Sequence, residues 1–179
     1  MNNVKQQTIY TIGHSTHTIE VFLAMLQSFN IKTLVDVRRF PGSRKYPQFN
    51  QDALKETLQH NGIEYIHLEE LGGRRKVSKD SKNNTWKNVS FKGYADYMEN
   101  DAFKNGVLKL EGIASNQHSV IMCSEVLWWR CHRSMISDYL KAAGWNVLHI
   151  MAEGKSQEHR YTAPARIVGT TVDYSDVVE

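Results

Sequence analysis

The chain has 179 residues, 41% hydrophobic and 23% charged, with a formal net charge of +3 and a pI near 8.8. That length and balance suit a single globular domain, residues 1–179, with a full core. No run approaches the roughly 20 apolar residues of a membrane span, and residues Met1 to Gln7 lack the apolar core of a secretory signal. The expectation is a cytoplasmic protein without membrane contact.

Thr8 to Ile12 is short, β-branched and aromatic and is broken by Gly13, which predicts a buried strand ending at Gly13-His14-Ser15. Ile19, Phe22, Leu23 and Leu26 then recur at helical spacing, with Thr18 as N-cap and Glu20 in the first turn. A second strand, Thr33 to Val37, runs into Arg38. The stretch Phe40 to Pro47 holds two of the three prolines and a glycine, so it is read as an irregular loop, long for a plain connector.

Asn50 caps a helix to about Asn61, with Gly62 as its left-handed stop, and Ile63 to Leu68 alternates as a third strand. Between Gly72 and Gly93 stand Arg74, Arg75, Lys76, Lys79, Lys82, Lys87 and Lys92 against Asp80 alone, a net +6. Its Ser, Asn and Lys content predicts a flexible basic loop at about 74–92. Tyr94 to Glu99 and Asp101 to about Ala114 read as helices, the second capped by Asp101, and Ser119 to Cys123 as a fourth strand.

A helix from about His132 to Ala143 stops at Gly144 and feeds a fifth strand, Trp145 to Ile150, while the acidic stretch 170–179 is read as a mobile tail. Strands alternate with helices throughout. The order predicts an α/β fold: one three-layer domain with a mostly parallel sheet of about five strands flanked by helices.

In such a sheet the residues after each strand share one edge, where ligands bind. His14 could be a general base or could cap the following helix, whereas Ser15 reads as a cap. Asp36 and Arg38 point to one side of an extended chain, as an internal ion pair or as an anion clamp. Glu125, beside Trp128 and Trp129, is the candidate acid, base or nucleophile, with a pKa raised if the indoles desolvate it, or else a salt-bridge partner of Arg130 or Arg133.

Cys131-His132-Arg133 at a helix start combines backbone N–H groups, a dipole end and a guanidinium, which suits phosphate. Trp128 and Trp129 could stack on a base or pack in the core. Arg38, Arg39, Arg44 and Lys45, with the basic loop, would supply several phosphate contacts.

Cys123 and Cys131 are the only cysteines and are expected to be reduced. Their spacing does not match common zinc modules, and a metal site would need His14, His132 or His149 in addition. Cys131 as a nucleophile gains from the helix start, His132 and Arg133, but Arg133 follows too closely for a phosphatase-type loop. No metal or other cofactor is assigned.

Gly13-His14-Ser15, Asp36-Val37-Arg38 with Phe40-Pro41 and Ser43, Pro47-Gln48-Phe49, Leu71-Gly72-Gly73, Gly93 to Met98, Cys123-Ser124-Glu125, Trp129 to Arg133, and His149 and His159 together resemble domain-of-unknown-function family 488 over nearly the whole chain. The resemblance implies a compact α/β domain. It also implies that His14, Asp36, Arg38, Glu125, Cys131, His132 and Arg133 form one site, without roles, and that the Lys76–Lys92 stretch is longer than usual.

The combined expectation is an enzyme, a hydrolase or transferase, acting on a nucleotide or nucleic acid at a glycosidic or phosphoester bond. Glu125, His14 and His132 are the catalytic candidates. Asp36, Arg38, Ser43, Arg133, Cys131 and Trp129 are the candidates for holding an anionic ligand. The alternatives are a non-catalytic nucleic-acid-binding module and a thiol-based enzyme or sensor using Cys131. Absence of a Walker or Rossmann glycine loop argues against an ordinary nucleoside-triphosphatase or nicotinamide enzyme.

Overall fold

The structure, a computed structural model, describes residues 5–176. Outside them lie Met1 to Val4, part of the stretch read for a signal, and residues 177–179 of the C-terminal stretch. The strands are β1 (Thr8–Gly13), β2 (Thr33–Asp36), β3 (Glu64–His67), β4 (Ser119–Cys123), β5 (Asn146–Ala152) and β6 (Lys155–Glu158), joined in the order β3-β2-β4-β1-β5-β6. The first five run parallel and β6 pairs antiparallel with β5.

Parallel neighbours need crossovers, and the helices α1 (Ile19–Ser28), α2 (Gln51–His60), α3 (Val89–Met98), α4 (Asp101–Asn116) and α5 (Arg133–Ala142) supply them. From β1 through β2 to β3 the chain moves toward one edge, and α1 and α2 pack on one face over Ile12, Leu34, Val120 and Met122. From β3 through β4 to β5 it moves back, and α3, α4 and α5 pack on the other face over Ile9, Val35, Ile121 and Val147. Reversing direction while keeping right-handed crossovers forces this change of face.

The central strands β2 and β4 are buried on both faces, which is why they read as near-continuous apolar runs. The helices keep one apolar stripe each, as with Phe22, Met25 and Leu26 in α1 or Met135, Ile136 and Leu140 in α5. Thr18 caps α1 by accepting from the Val21 N–H, and Gly62 takes φ +71° after α2, as their residue types predict.

Several boundaries differ from the sequence reading. The sheet has six strands, and a separate hairpin joins β7 (Arg166–Val168) to β8 (Thr171–Asp173), the latter inside the stretch read as a tail. Tyr174, just after it, is buried and donates to Asp138. Helix α3 starts at Val89 because the Asn88 side chain accepts from the Ser90 and Phe91 N–H groups, so the end of the basic loop is helical. The rest of that loop is tied to α3: Asp96 accepts from Ser78 N, Ser81 Oγ and Asn83 Nδ2, and the Arg75 guanidinium lies 3.8 Å over the Tyr97 ring. Asn100, not Asp101, is the cap position of α4. The Asn50 side chain makes no cap bond and instead accepts from Ser43 N–H, closing the Phe40–Pro47 loop.

Candidate functional site

A cleft of about 560 Å³ opens at the C-terminal ends of β1, β2 and β4. It lies there because β4 sits between β1 and β2, yet its connection leaves on the opposite face from theirs, which parts the loops above it. Its walls come from His14 to Thr16, Arg38 to Phe40 with Gly42, Ser43 and Tyr46, Gly73 and Arg74, the start of α3, Cys123 to Val126, and Arg130 to His132.

Gly13 ends β1 where the main chain of the β4–α5 connection crosses it. A Cβ there would stand 1.9 Å from the Glu125 carbonyl oxygen, so no larger residue fits. The ladder continues past the strands, His14 N–H donating to Cys123 O and Ser15 N–H to Ser124 O, both at 2.9 Å. His14 is thereby held over the cleft, stacked 4.3 Å from Phe49. Its Nδ1 lies 3.0 Å from Ser15 O, which only a protonated Nδ1 can use, leaving a lone pair on Nε2, 3.4 Å from Arg38 Nη1. Burial, reinforced by the Arg38 charge, lowers its pKa to about 4, so the ring is neutral near pH 7. Ser15 caps no helix; Thr18 does.

Asp36 and Arg38 form a buried bidentate pair, Arg38 Nε donating to Oδ1 at 2.9 Å and Nη2 to Oδ2 at 2.7 Å. Tyr65 OH donates to the same carboxylate at 2.6 Å, and burial with that neighbouring charge pushes the phenol upward. The pair is therefore internal to the fold. Nη1 alone of the guanidinium nitrogens is left to face His14 and the cleft. Ser43 lines the cleft too, its Oγ accepting from Tyr46 N–H.

Glu125 lines the cleft and is exposed, its Oε1 accepting a long 3.4 Å bond from Leu127 N–H. The indole enclosure expected around it does not form. Trp128 is buried flat against His149 at 4.4 Å, while Trp129 is 48% exposed and is not among the residues lining the cleft. Among the described residues no ion pair joins Glu125 to Arg130 or Arg133.

Arg133, expected to hold phosphate, is instead 1% exposed beneath the loop. Its Nη2 donates to Glu125 O at 2.7 Å and Val126 O at 3.0 Å, and its Nη1 to Thr11 Oγ1 at 3.3 Å. The side chain fits there because its fork can serve several carbonyls that the turn leaves without strand partners. The start of α5 is also occupied: Arg133 N–H points at Cys131 Sγ, 3.4 Å away.

His132 donates from Nε2 to Val37 O at 2.9 Å, which leaves the Nδ1 lone pair facing Cys131 Sγ at 3.6 Å. Burial lowers its pKa. Gly73 makes room for this ring, since a Cβ there would stand 3.0 Å from Nδ1.

The cleft as a whole is lined by the guanidinium residues Arg38, Arg39, Arg74 and Arg130 and by two imidazoles of lowered pKa, with Glu125 as its single carboxylate. Phe40, 63% exposed, stands at the wall with Phe91 and Tyr94. Arg44, Lys45 and the lysines of the basic loop are not among the lining residues. Arg130, Phe91 and Tyr94 were not singled out from the sequence as ligands; Arg74 was read only within the basic loop, Arg130 and Tyr94 stood in the motifs that carry the resemblance, and Phe91 had no signal.

Behind the cleft runs a buried polar chain. Arg133 Nη1 donates to Thr11 Oγ1, which lies 2.6 Å from His149 Nδ1; His149 Nε2 lies 2.9 Å from His159 Nδ1, and His159 Nε2 donates to Asp138 Oδ1 (2.8 Å). Burial lowers the His149 pKa to about 2, with the Arg133 charge acting in the same direction. Thr162 and Tyr174 complete the Asp138 shell. Among the described residues no group of three or more His, Cys, Asp or Glu is arranged to hold a metal ion, and no helix is long and apolar enough to cross a membrane.

A family model described as "Domain of unknown function DUF488" matches residues 18–140, more than half of the chain. The match takes in Asp36 through Arg133 but starts after His14 and ends before His149. No curated protein and no solved structure matches.

Proposed function

The chain belongs to the DUF488 family, and from the cleft it carries we propose an enzyme that binds a phosphorylated ligand, a nucleotide or a nucleic-acid end, and cleaves or transfers at a phosphoester bond. The observation that carries the reading is the imbalance of the cleft wall: with Arg38 already paired to Asp36, Arg39, Arg74 and Arg130 stand against the carboxylate of Glu125 alone. A pocket of this size is typical for a small ligand, and guanidiniums recognise phosphate by paired donors.

Glu125 is the candidate general base. It is accessible and tied only by a long bond to Leu127 N–H, so it can orient and deprotonate water or a hydroxyl. His14, neutral, would exchange the long 3.4 Å contact of its Nε2 lone pair with Arg38 Nη1 for a hydrogen bond from the attacking group, while the arginines offset charge on the phosphate. His132 is less suited to proton transfer, since its Nε2 is held by Val37 O. A glycosidic bond fits less well, because the usual mechanism uses a pair of carboxylates and Asp36 is committed to Arg38 and Tyr65.

The test is a turnover screen over nucleotides and short oligonucleotides, followed by Glu125→Gln on any substrate found. Turnover should fall by about 10²–10⁴-fold with affinity unchanged. Binding that weakens steeply with salt, without turnover on any substrate, would instead favour a non-catalytic nucleic-acid-binding module.

A further inference from the structure

The two cysteines meet in the wall of the cleft with their sulfurs 2.7 Å apart and unbonded. Cys123 is the last residue of β4 and Cys131 stands just before α5, so their approach requires the intervening turn to fold back. Arg133 holds that turn by its bonds to Glu125 O and Val126 O. The thiols are thus brought together by a fixed backbone.

We propose that Cys123 and Cys131 form a reversible dithiol–disulfide couple in the wall of the cleft, oxidised by a small peroxide or a low-molecular-weight disulfide that enters through it. The two sulfurs have distinct roles. Burial opposes ionisation of Cys131, but the hydrogen bond from Cys123 and the charge and N–H of Arg133 prevail and lower it to about 7. Burial pushes the Cys123 thiol well up, so it stays protonated beside the Cys131 sulfur. Cys131 is the attacking sulfur and Cys123 the resolving one.

With oxidised glutathione, the Cys131 thiolate attacks one sulfur, the glutathione S–S bond breaks, and one glutathione leaves as thiolate. That thiolate takes the Cys123 proton. The Cys123 sulfur then attacks Cys131 Sγ in the mixed disulfide, and the second glutathione leaves. The Cys131 proton, released on ionisation, returns through solvent to that second thiolate. The protein loses two electrons and two protons, and glutathione disulfide gains them as two thiols. With hydrogen peroxide, Cys131 becomes a sulfenic acid with release of one water, and Cys123 displaces the second water. Either route removes a thiolate from the cleft wall and ties the Glu125 turn into a covalent ring.

The test is intact mass and peptide mapping of the wild-type chain after oxidised glutathione or hydrogen peroxide. The expected product has lost two hydrogens, carries a Cys123–Cys131 linked peptide, and returns to the starting mass with dithiothreitol. The rate with glutathione disulfide should rise about tenfold per pH unit below neutrality and level off above it, following the Cys131 thiolate. Cys123→Ser should accumulate a glutathionyl adduct on Cys131, and Cys131→Ser should react at least about tenfold more slowly. A wild-type chain that keeps two alkylatable thiols, or goes to sulfinic acid without a linked peptide, overturns the proposal, and the wild-type result decides even if a variant does not fold.

Discussion

A guanidinium two residues after a thiol reads as an anion ligand when only the sequence is in view, but Arg133 serves main-chain carbonyls. The difference is measurable. Arg133→Lys keeps the charge but not the fork, so it should lower stability by about 1.5–3 kcal/mol in urea unfolding, the range for a charged hydrogen bond. A phosphate ligand would instead leave stability intact and reduce the salt dependence of anion binding by about one unit of slope. Asp36 shows the opposite relation: its pairing with Arg38 was legible as an alternative from their spacing across Val37. The burial that makes the pair internal came from Tyr65, a neighbour on β3 whose contact no local pattern announces.

At the scale of elements, the parallel strands and the amphipathic helices were readable because apolar period and turn residues agree along the chain. The strands that escaped are short and largely exposed. β6, Lys155 to Glu158, is exposed along its length and is a strand only because it pairs with β5 after the turn at Gly154. The early start of α3 depends on one side chain, Asn88, inside a run that otherwise reads as solvated loop.

Glycines divide in the same way. Gly13→Ala should cost about 1–3 kcal/mol or more, because the Glu125 main chain would have to move from its 1.9 Å approach, whereas Gly112→Ala in α4, with nothing within 4 Å, should stabilise by about 0.5–1 kcal/mol. Thermal unfolding of the two variants checks both signs. A stable Gly13→Ala would mean that the turn is not held as described.

For the whole molecule, the consequence of burying neutral histidines is a fold that weakens on acidification. His14 and His149 have folded pKa values of about 4 and about 2, below the ordinary histidine range. Between roughly pH 6 and 4 the unfolded chain binds up to two protons that the folded chain refuses, so stability is full above that window and is lost as pH falls. The combined slope approaches about 2.7 kcal/mol per pH unit, at 1.36 per group. The His14 share levels off near pH 4, and the His149 share continues below it. Urea midpoints from pH 7 to 5 should fall accordingly, and His149→Gln should remove about half of the slope; a flat profile would contradict the burial of these rings as neutral groups.

The sequence by itself determined the α/β class, the five parallel strands and the set of residues that follow them, because period, caps and stop glycines are local properties of the chain. It could also place Glu125, His14 and Arg38 at one sheet edge, since a parallel sheet puts every strand end on the same side. Only the tertiary structure decided which of these groups are available for chemistry. Strand order put β4 between β1 and β2 and so opened the cleft. Burial turned Arg133 and Asp36 inward, freed Glu125, and brought two sulfurs eight positions apart in sequence to 2.7 Å. Those outcomes depend on partners distant along the chain, and hydrogen-bond satisfaction in the interior, not local pattern, selects them.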